Sequence, residues 1–344
     1  TMLEKLCEKS HKKKKIQRLA VAGNTVMCHL FAGISPEAIG VAPFMPEELF
    51  GKEYTGSSVG IDCCEIVNIL PCVAGYVGSD ITADVLAAVP EDGGQWLLLD
   101  IGTNGEMLLG NAKDGYVCCA TAAGPAFEGA EITMGMPAAD GAIASVTYKN
   151  HRLSVGTIGE KDAVGICGSG LLDALAVFLE AGLMDESGML MEVEEVPEEL
   201  RGYIGTYEGQ PCVWLSEKVC VTQEDVRNLQ LAKAAIAAGI EILLKEKAFG
   251  YKDVTGVWLA GGFGSFLNTE SAAKIGLIPK ELLPVTEAVG NAAGEGAVFA
   301  AISKKAREHL LEIQGKMHYL ELSMHPAFSD LYMDCIPFTS YSGV

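Results

Sequence analysis

The chain has 344 residues, 49% of them hydrophobic, which is enough for more than one compact core and excludes extended disorder. Its 25 Lys and Arg against 45 Asp and Glu leave a net charge of −20, and a surface of that sign repels nucleic-acid backbones and anionic lipids. Because the apolar runs stay well short of the roughly 20 residues that span a bilayer, we expect a cytoplasmic protein with neither nucleic-acid nor membrane partners.

Eleven cysteines occur in the chain, but their spacing matches neither a C-x-x-C pair nor the cysteine run of a plant-type iron–sulfur cluster. The members of the adjacent pairs Cys63-Cys64 and Cys118-Cys119 would point to opposite faces of a strand, so one ion could not easily bind both. We therefore interpret the cysteines as reduced thiols, most of them in the core.

Apolar segments alternate between strand and helix patterns along the chain, which predicts a layered α/β fold. The first part contains, in order, a predicted strand at 16–22, a helix through Met27 and Leu30, a short strand at 66–70 and a helical stretch at 71–88. The turn cluster at 91–94 combines two acidic residues with two glycines and is the predicted boundary between two lobes.

The second part begins with a continuous apolar run that is typical of a buried strand. Its predicted elements are, in order, that strand at 96–101, a hairpin turn at Asn104-Gly105, a strand at 116–121, a helix at 222–248 and a strand at 254–260. The long helix is amphipathic, and Thr222 and Asp225 form its predicted N-terminal cap.

The turn at 100–105 is the first candidate site for a phosphate. Asp100 ends an otherwise apolar strand, where burial of a carboxylate is costly unless a charged group requires it. The backbone N–H groups of Gly102, Thr103 and Asn104 suit phosphate oxygens, and the carboxylate could hold Mg²⁺ through water. The alternative is an ordinary Asn-Gly hairpin that Asp100 caps.

Three further glycine-rich turns, at 123–130, 165–170 and 257–264, each follow a predicted strand or precede a predicted helix. The first could form a second phosphate cradle, the second could bind an anion at a helix N-terminus, and the glycines of the third could let a flat ring lie on the backbone. The structural alternatives are a plain loop, a helix capped by Ser169 and a simple strand-to-helix turn.

Two stretches rich in Gly and Ala, at 71–78 and 290–297, predict helices that cross closely. Such a crossing is a candidate hinge between the two lobes.

The order of these features resembles the second half of the actin-like ATPase fold shared by actin, sugar kinases and heat-shock chaperones. More narrowly, LLLDIGTNGEM, GPAFEGA, GICGSGLLDAL, LQLAKAAI, LAGGFG and the closing YLELSMHPAFSDLYMDCIPF resemble the C-terminal, actin-like ATPase region of reductive activators of corrinoid proteins. These redox proteins couple ATP hydrolysis to the reduction of a Co(II) corrinoid to Co(I). We therefore predict an α/β protein of the actin-like, ribonuclease H-like ATPase fold, with two lobes of which the first is truncated.

The resemblance implies ATP with Mg²⁺ in a cleft between the lobes. Asp100 would assist Mg²⁺, through water, or the attacking water molecule. The implied nucleotide-binding residues are Thr103 and Asn104 at the phosphates, Gly261 and Gly262 beside the adenosine, Lys233 reaching adenine or ribose, and Gly102, Gly124, Glu128, Gly168, Ser169 and Phe263. A solvated Lys233 is the alternative for that residue.

The family also carries an N-terminal [2Fe–2S] domain and an earlier phosphate loop of the DIGTT type, and neither is present in this sequence. The expectation is therefore a C-terminal fragment, inactive in isolation, with a partial first lobe at 1–90, a second lobe at 91–300 and a segment at 301–344 that packs back. The implied partners are a corrinoid protein of a methyltransferase or O-demethylase system and an electron donor that acts through the missing domain. A homodimer is left open.

Two other functions remain open at this point. A small-molecule kinase of the same fold would need a pocket for a substrate hydroxyl and a general base. A module that docks a corrinoid protein without hydrolysing ATP would need only a complementary surface.

Overall fold

The structure is a computed structural model that describes Lys5, residues 16–264 and residues 266–339. Strands and helices alternate along this part of the chain, and the predicted α/β class is confirmed. The strands are β1 (Ile16–Val21), β2 (Glu53–Thr55), β3 (Cys64–Ile69), β4 (Trp96–Ile101), β5 (Gly105–Asn111), β6 (Gly115–Thr121), β7 (Ala142–Lys149), β8 (Arg152–Thr157), β9 (Gly165–Ile166), β10 (Ile204–Tyr207), β11 (Gln210–Trp214), β12 (Cys220–Thr222), β13 (Gly256–Ala260), β14 (Thr286–Gly290) and β15 (Met317–Tyr319). The helices are α1 (Thr25–Ala32), α2 (Ser79–Ala88), α3 (Gly168–Ala181), α4 (Gln223–Lys247), α5 (Gly261–Gly264), α6 (Thr269–Lys274), α7 (Ala292–Ile302), α8 (Lys304–Gly315) and α9 (Phe328–Asp334).

The largest sheet has six strands in the order β14-β13-β4-β5-β6-β15. Its strand β4 is apolar on both faces, and Leu97, Leu98 and Leu99 have no exposed surface, as the continuous apolar run predicts. Three smaller sheets have three strands each, in the orders β1-β3-β2, β8-β7-β9 and β10-β11-β12.

The chain forms two compact units. Of the described residues, the first comprises those up to Leu98, together with Leu108–Cys119 and Asn291–Leu320. The second comprises Leu99–Met107 and the described residues within Ala120–Gly290 and from Glu321 onward. The strands β4, β5 and β6 each contribute residues to both units, so the chain changes unit within these strands.

The long helix α4 is the core of the second unit, and the structure confirms its prediction. The Thr222 side chain accepts a hydrogen bond from the Asp225 N–H, and the Asp225 carboxylate accepts one from the Thr222 N–H, which is the reciprocal capping box. Asp225 is fully buried and also accepts hydrogen bonds from the N–H and hydroxyl of Thr133, at 2.6 and 2.9 Å. Within the described residues, no helix is long and apolar enough to cross a membrane.

In the first unit, the prediction of a helix from residue 71 is wrong for 71–78. The N–H groups of Val73 and Ala74 both donate to the carbonyl of Val77, at 2.9 and 3.0 Å, which closes a turn instead of a helix. A Cβ atom on Gly78 would lie 2.5 Å from the carbonyl oxygen of Gly23, so this segment is pressed against the start of α1. The helix α2 therefore begins only at Ser79.

The close helix crossing is present, but between α7 and the middle of α2. A Cβ atom on Gly296 would lie 2.2 Å from the carbonyl oxygen of Ala83 and 2.8 Å from its Cα. Both residues belong to the first unit, and Ala83 has no exposed surface. The two backbones can approach this closely only because position 296 has no side chain.

Lys233 lies in the middle of α4 and is fully buried in the second unit. Its ammonium donates a hydrogen bond to the carbonyl of Pro337 and lies 5.4 Å from the centre of the Phe338 ring. Phe338 is itself held by a 2.7 Å hydrogen bond from its N–H to the carbonyl of Glu186. Burial lowers the pKa of Lys233 to about 8, from the ordinary 10.5.

We predict that Gly296→Ala lowers the free energy of unfolding by about 1–3 kcal/mol, although alanine favours helices, because the methyl group would overlap the Ala83 backbone. The control is Gly315→Ala, where no atom lies within 4 Å of the added carbon. Urea denaturation of both variants measures the effect. Equal stability of Gly296→Ala and the unchanged chain would contradict the crossing described here.

We further predict that Lys233 makes a contribution to the unfolding free energy that rises with pH between about 8 and 10.5, while buried thiols such as Cys118, whose pKa burial raises to about 12, contribute in the opposite direction. The pKa of Lys233 is lowered in the folded state, so the unfolded state binds more protons in this window and stability increases as the lysine deprotonates. The difference between the folded-state pKa of about 8 and the ordinary 10.5 corresponds to about 3 kcal/mol of unfolding free energy.

This contribution should be absent in Lys233→Met, which keeps the length of the side chain and removes the titrating group, so the unfolding free energy of the variant should fall relative to that of the unchanged chain as the pH rises through this window. Lys245→Met, at an exposed position of the same helix, should retain the contribution. Urea titrations at several pH values separate the two variants. An unchanged slope in Lys233→Met would assign the pH dependence to other groups.

Candidate functional site

Four of the predicted segments meet in the second unit around a cavity of about 240 Å³. The turn after β4, the turn after β6, the start of α3 and the helix α5 all contribute to its lining. The predicted site residues in the lining are Gly102, Glu128, Gly168, Ser169, Gly262 and Phe263.

Asp100 and Gly261 lie side by side at the ends of the neighbouring strands β4 and β13. A Cβ atom on Gly261 would be 2.3 Å from the Asp100 Oδ1 and 2.8 Å from the Ile101 carbonyl oxygen, and the φ of Gly261 is +88°. Only glycine satisfies both the conformation and the contact. The structure therefore places the carboxylate of the turn at 100–105 against the glycine pair of the segment at 257–264.

The turn after β4 is tied to the turn after β6 by two hydrogen bonds. The Thr103 hydroxyl donates to the Glu128 Oε2 at 2.7 Å, and the N–H of Gly124 donates to the Thr103 carbonyl at 3.1 Å. Within the first turn, the N–H of Gly102 donates to the carbonyl of Asn104 at 3.0 Å. The hairpin predicted at Asn104-Gly105 is thus present, with residues 102–104 as its loop.

The start of α3 packs directly on the turn after β6. A Cβ atom on Gly168 would lie 1.8 Å from the Phe127 carbonyl oxygen and 3.0 Å from the Phe263 ring. The Phe127 and Phe263 rings are 4.9 Å apart. Ser169 does not cap the helix as that alternative supposed, because its hydroxyl donates to the Ala144 carbonyl at 3.0 Å.

A buried carboxylate holds α3 in this position. Asp173 accepts hydrogen bonds from the Ser271 hydroxyl at 2.6 Å and from the Val146 N–H at 3.4 Å, and thereby links α3 to α6 and β7. Burial raises the pKa of Asp173. These contacts place the first turn of α3, with its outward backbone N–H groups, at the cavity wall.

Six predicted site residues lie outside the lining, namely Asp100, Thr103, Asn104, Gly124, Lys233 and Gly261, and some lining residues were not predicted. Lys233 is buried beneath Pro337 and Phe338 and is not among the lining residues, so the structure offers it a packing role. Among the other lining residues, Phe127 and Cys167 lie within the predicted turns but were not named as site residues, and Pro137, Ala138 and Phe266 lie outside every predicted segment. The sequence feature that could have indicated Phe266 is its place as an aromatic residue two positions after the glycine-rich helix α5.

The residues at the cavity fit a nucleotide with Mg²⁺. No atom lies within 4 Å of a Cβ placed on Gly124 or Gly262, so their backbones face space that a ligand could enter. The carboxylate of Glu128 is in the lining, and Thr103, bonded to it, and Asp100 lie on the adjoining turn; their side chains carry oxygens, the ligand type that Mg²⁺ prefers. Within the described residues, no group of three or more His, Cys, Asp or Glu is arranged to hold a metal ion.

Comparison with known proteins identifies the same fold and family. The family model of the C-terminal ASKHA domain of RACo matches residues 95–341, and that of the RACo middle region matches residues 1–89. A solved structure described as a reductive activator for corrinoid, iron–sulfur protein is 38% identical, with a TM-score of 0.87 over 97% of this chain and 55% of that one.

Two curated relatives are similar over most of this chain. The corrinoid activation enzyme RamQ of Eubacterium limosum is 33% identical over 96% of this chain and 58% of its own length. The [Co(II) methylated amine-specific corrinoid protein] reductase of Methanosarcina barkeri is 26% identical over 93% of this chain and 62% of its own length. The chain thus spans little more than half the length of the proteins it matches.

The structural match at 38% identity confirms the predicted actin-like, or ASKHA, fold. With the larger family model covering most of the sequence, the chain belongs to the RACo family of corrinoid reductive activators, in the region of its middle and C-terminal ASKHA domains.

Proposed function

We propose that this chain is the ATP-binding and ATP-hydrolysing part of a reductive activator that drives reduction of a corrinoid protein from Co(II) to Co(I). The observation that carries the proposal is the meeting of four separated glycine-rich segments at one cavity in the second unit. Both curated relatives are named for action on corrinoid proteins, which supports that partner.

The phosphates of ATP would lie along the turn after β4 and the N-terminus of α3. The N–H groups of Gly168 and Ser169 start a 14-residue helix, and unpaired N–H groups with the helix dipole attract anions. Thr103 and Asn104 would contact the phosphates from the opposite side. Glu128 holds the Thr103 hydroxyl and so orients this turn.

Asp100 is the proposed catalytic carboxylate. It sits at the end of β4, half-buried, with Oδ1 against the backbone of Gly261. It would hold a water ligand of Mg²⁺ or orient the attacking water. Mg²⁺, when bound, would neutralise charge on the phosphates.

The adenosine is proposed to lie in the cavity beside α5. Gly262 brings the backbone of α5 to the cavity, and Phe263 packs beside it against Phe127. Lys233 is withdrawn from the proposed adenosine contacts because its ammonium is bonded to the Pro337 carbonyl.

The electron donor and the [2Fe–2S] group are proposed to belong to a region other than the one matched here, since this chain covers 58% and 62% of the length of the two curated relatives. All ten described cysteines are free thiols, nine of them buried, which suits the reducing cytoplasm proposed for the protein.

The proposed function is tested with the protein made from its native gene, a Co(II) corrinoid protein of the same organism and a low-potential reductant. The Co(I) absorption spectrum should develop only when MgATP is present, and a non-hydrolysable ATP analogue should not support it. Co(I) formation without ATP would favour a docking module. Phosphate transfer to a small hydroxylated molecule would favour a kinase.

We predict that Asp100→Asn lowers ATP hydrolysis by about 100-fold or more, because it keeps the side-chain size and removes the charge that orients water or the Mg²⁺ shell. The control is Asp162→Asn, at an exposed position of the second unit. Phosphate release and thermal unfolding are measured on both variants. Wild-type hydrolysis by a fully folded Asp100→Asn variant would return Asp100 to the role of a turn cap.

A further inference from the structure

Phe266 is an unusual side chain at the rim of the cavity. It lines the cavity and yet is 75% exposed, whereas its neighbours Phe127 and Phe263 are 1% and 8% exposed. Its N–H donates to the Phe263 carbonyl at 3.1 Å, which holds the backbone of this rim against α5. Covering an exposed apolar ring with a flat ligand removes apolar surface from water, which favours binding of that ligand.

The wall below Phe266 is apolar. It consists of Phe127, Pro137, Ala138 and Phe263, all in the second unit. Gly262 adds an open stretch of backbone, with no atom within 4 Å of a Cβ placed there. This half of the cavity is therefore suited to an uncharged aromatic ring system.

The polar side chains of the lining have their hydrogens committed elsewhere. The Ser169 hydroxyl donates to the Ala144 carbonyl at 3.0 Å, and the Cys167 thiol donates to the Ile143 carbonyl at 3.4 Å. Glu128 accepts from Thr103 and can offer only acceptor oxygens. The lining side chains are thus poorly equipped to donate to the edge of a base.

We propose that Phe266 is the platform on which the purine ring of the nucleotide stacks, and that the site recognises the base by stacking and not by hydrogen bonds to its edge. The inference rests on the proposed function, since it concerns the same nucleotide. Stacking depends on the face of the ring, which adenine and hypoxanthine share, so MgATP and MgITP should bind with similar affinity. A pyrimidine offers a smaller face and should bind more weakly.

The experiment is calorimetry of the full chain with MgATP, MgITP, MgUTP and magnesium tripolyphosphate, which lacks a base. Phe266→Ala should weaken MgATP and MgITP binding by about 10-fold or more and leave tripolyphosphate binding unchanged. Phe266→Tyr should retain wild-type affinity because it keeps the ring. Met324→Ala removes a side chain of similar exposure, 77%, outside the cavity lining and should change nothing.

The outcomes separate this inference from the proposed function. If the unchanged chain binds tripolyphosphate and MgATP but Phe266→Ala binds MgATP equally well, the stacking role is overturned and the ATP site stands. Equal loss of tripolyphosphate and MgATP in Phe266→Ala, with an unchanged melting temperature, would also overturn it, as would a 100-fold preference for MgATP over MgITP. If the unchanged chain binds no nucleotide at all, the proposed function fails and the inference fails with it.

Discussion

The candidate site depends on one close backbone contact, between Gly168 at the start of α3 and the carbonyl of Phe127. With a Cβ position only 1.8 Å from that oxygen, any side chain at 168 would push the helix away from the turn after β6. The contact sets the cavity wall, because the same turn carries Glu128 and the same helix carries Ser169. Asp173, bonded to Ser271 and Val146, holds the helix against this contact from the other side.

The same physical constraint explains other glycines that the sequence made conspicuous. Gly261 must accommodate the Asp100 carboxylate, and Gly296 must accommodate the Ala83 backbone. In each case a Cβ atom would collide with a neighbouring segment, and at Gly261 the positive φ favours glycine as well. One glycine-rich motif alone is weak evidence for a functional site. Together, these glycines mark the positions where segments distant in sequence come into contact.

Lys233 shows that a residue's position on a helix does not identify the group that its side chain contacts. It lies on the same buried face of α4 as Leu229 and Ile236, whereas the sequence analysis left it either at the nucleotide or in solvent. The sequence of the helix does not indicate which residues cover Lys233, because Pro337 and Phe338 come more than 100 positions later in the chain. A lysine placed by resemblance near a nucleotide is instead bonded to the segment that closes over α4.

The sequence by itself determined the α/β class, most strands and helices, the capped start of α4 and the segments that carry the candidate site, because hydrophobic periodicity, caps and glycine turns are local properties. It failed at 71–78, where a small-residue stretch reads as helix but is pressed against Gly23 and closes a turn. Only the tertiary structure decided which turns meet, that Phe266 stands exposed at their rim and that Lys233 is covered. These are contacts between residues far apart in the chain, and no local pattern encodes the partner.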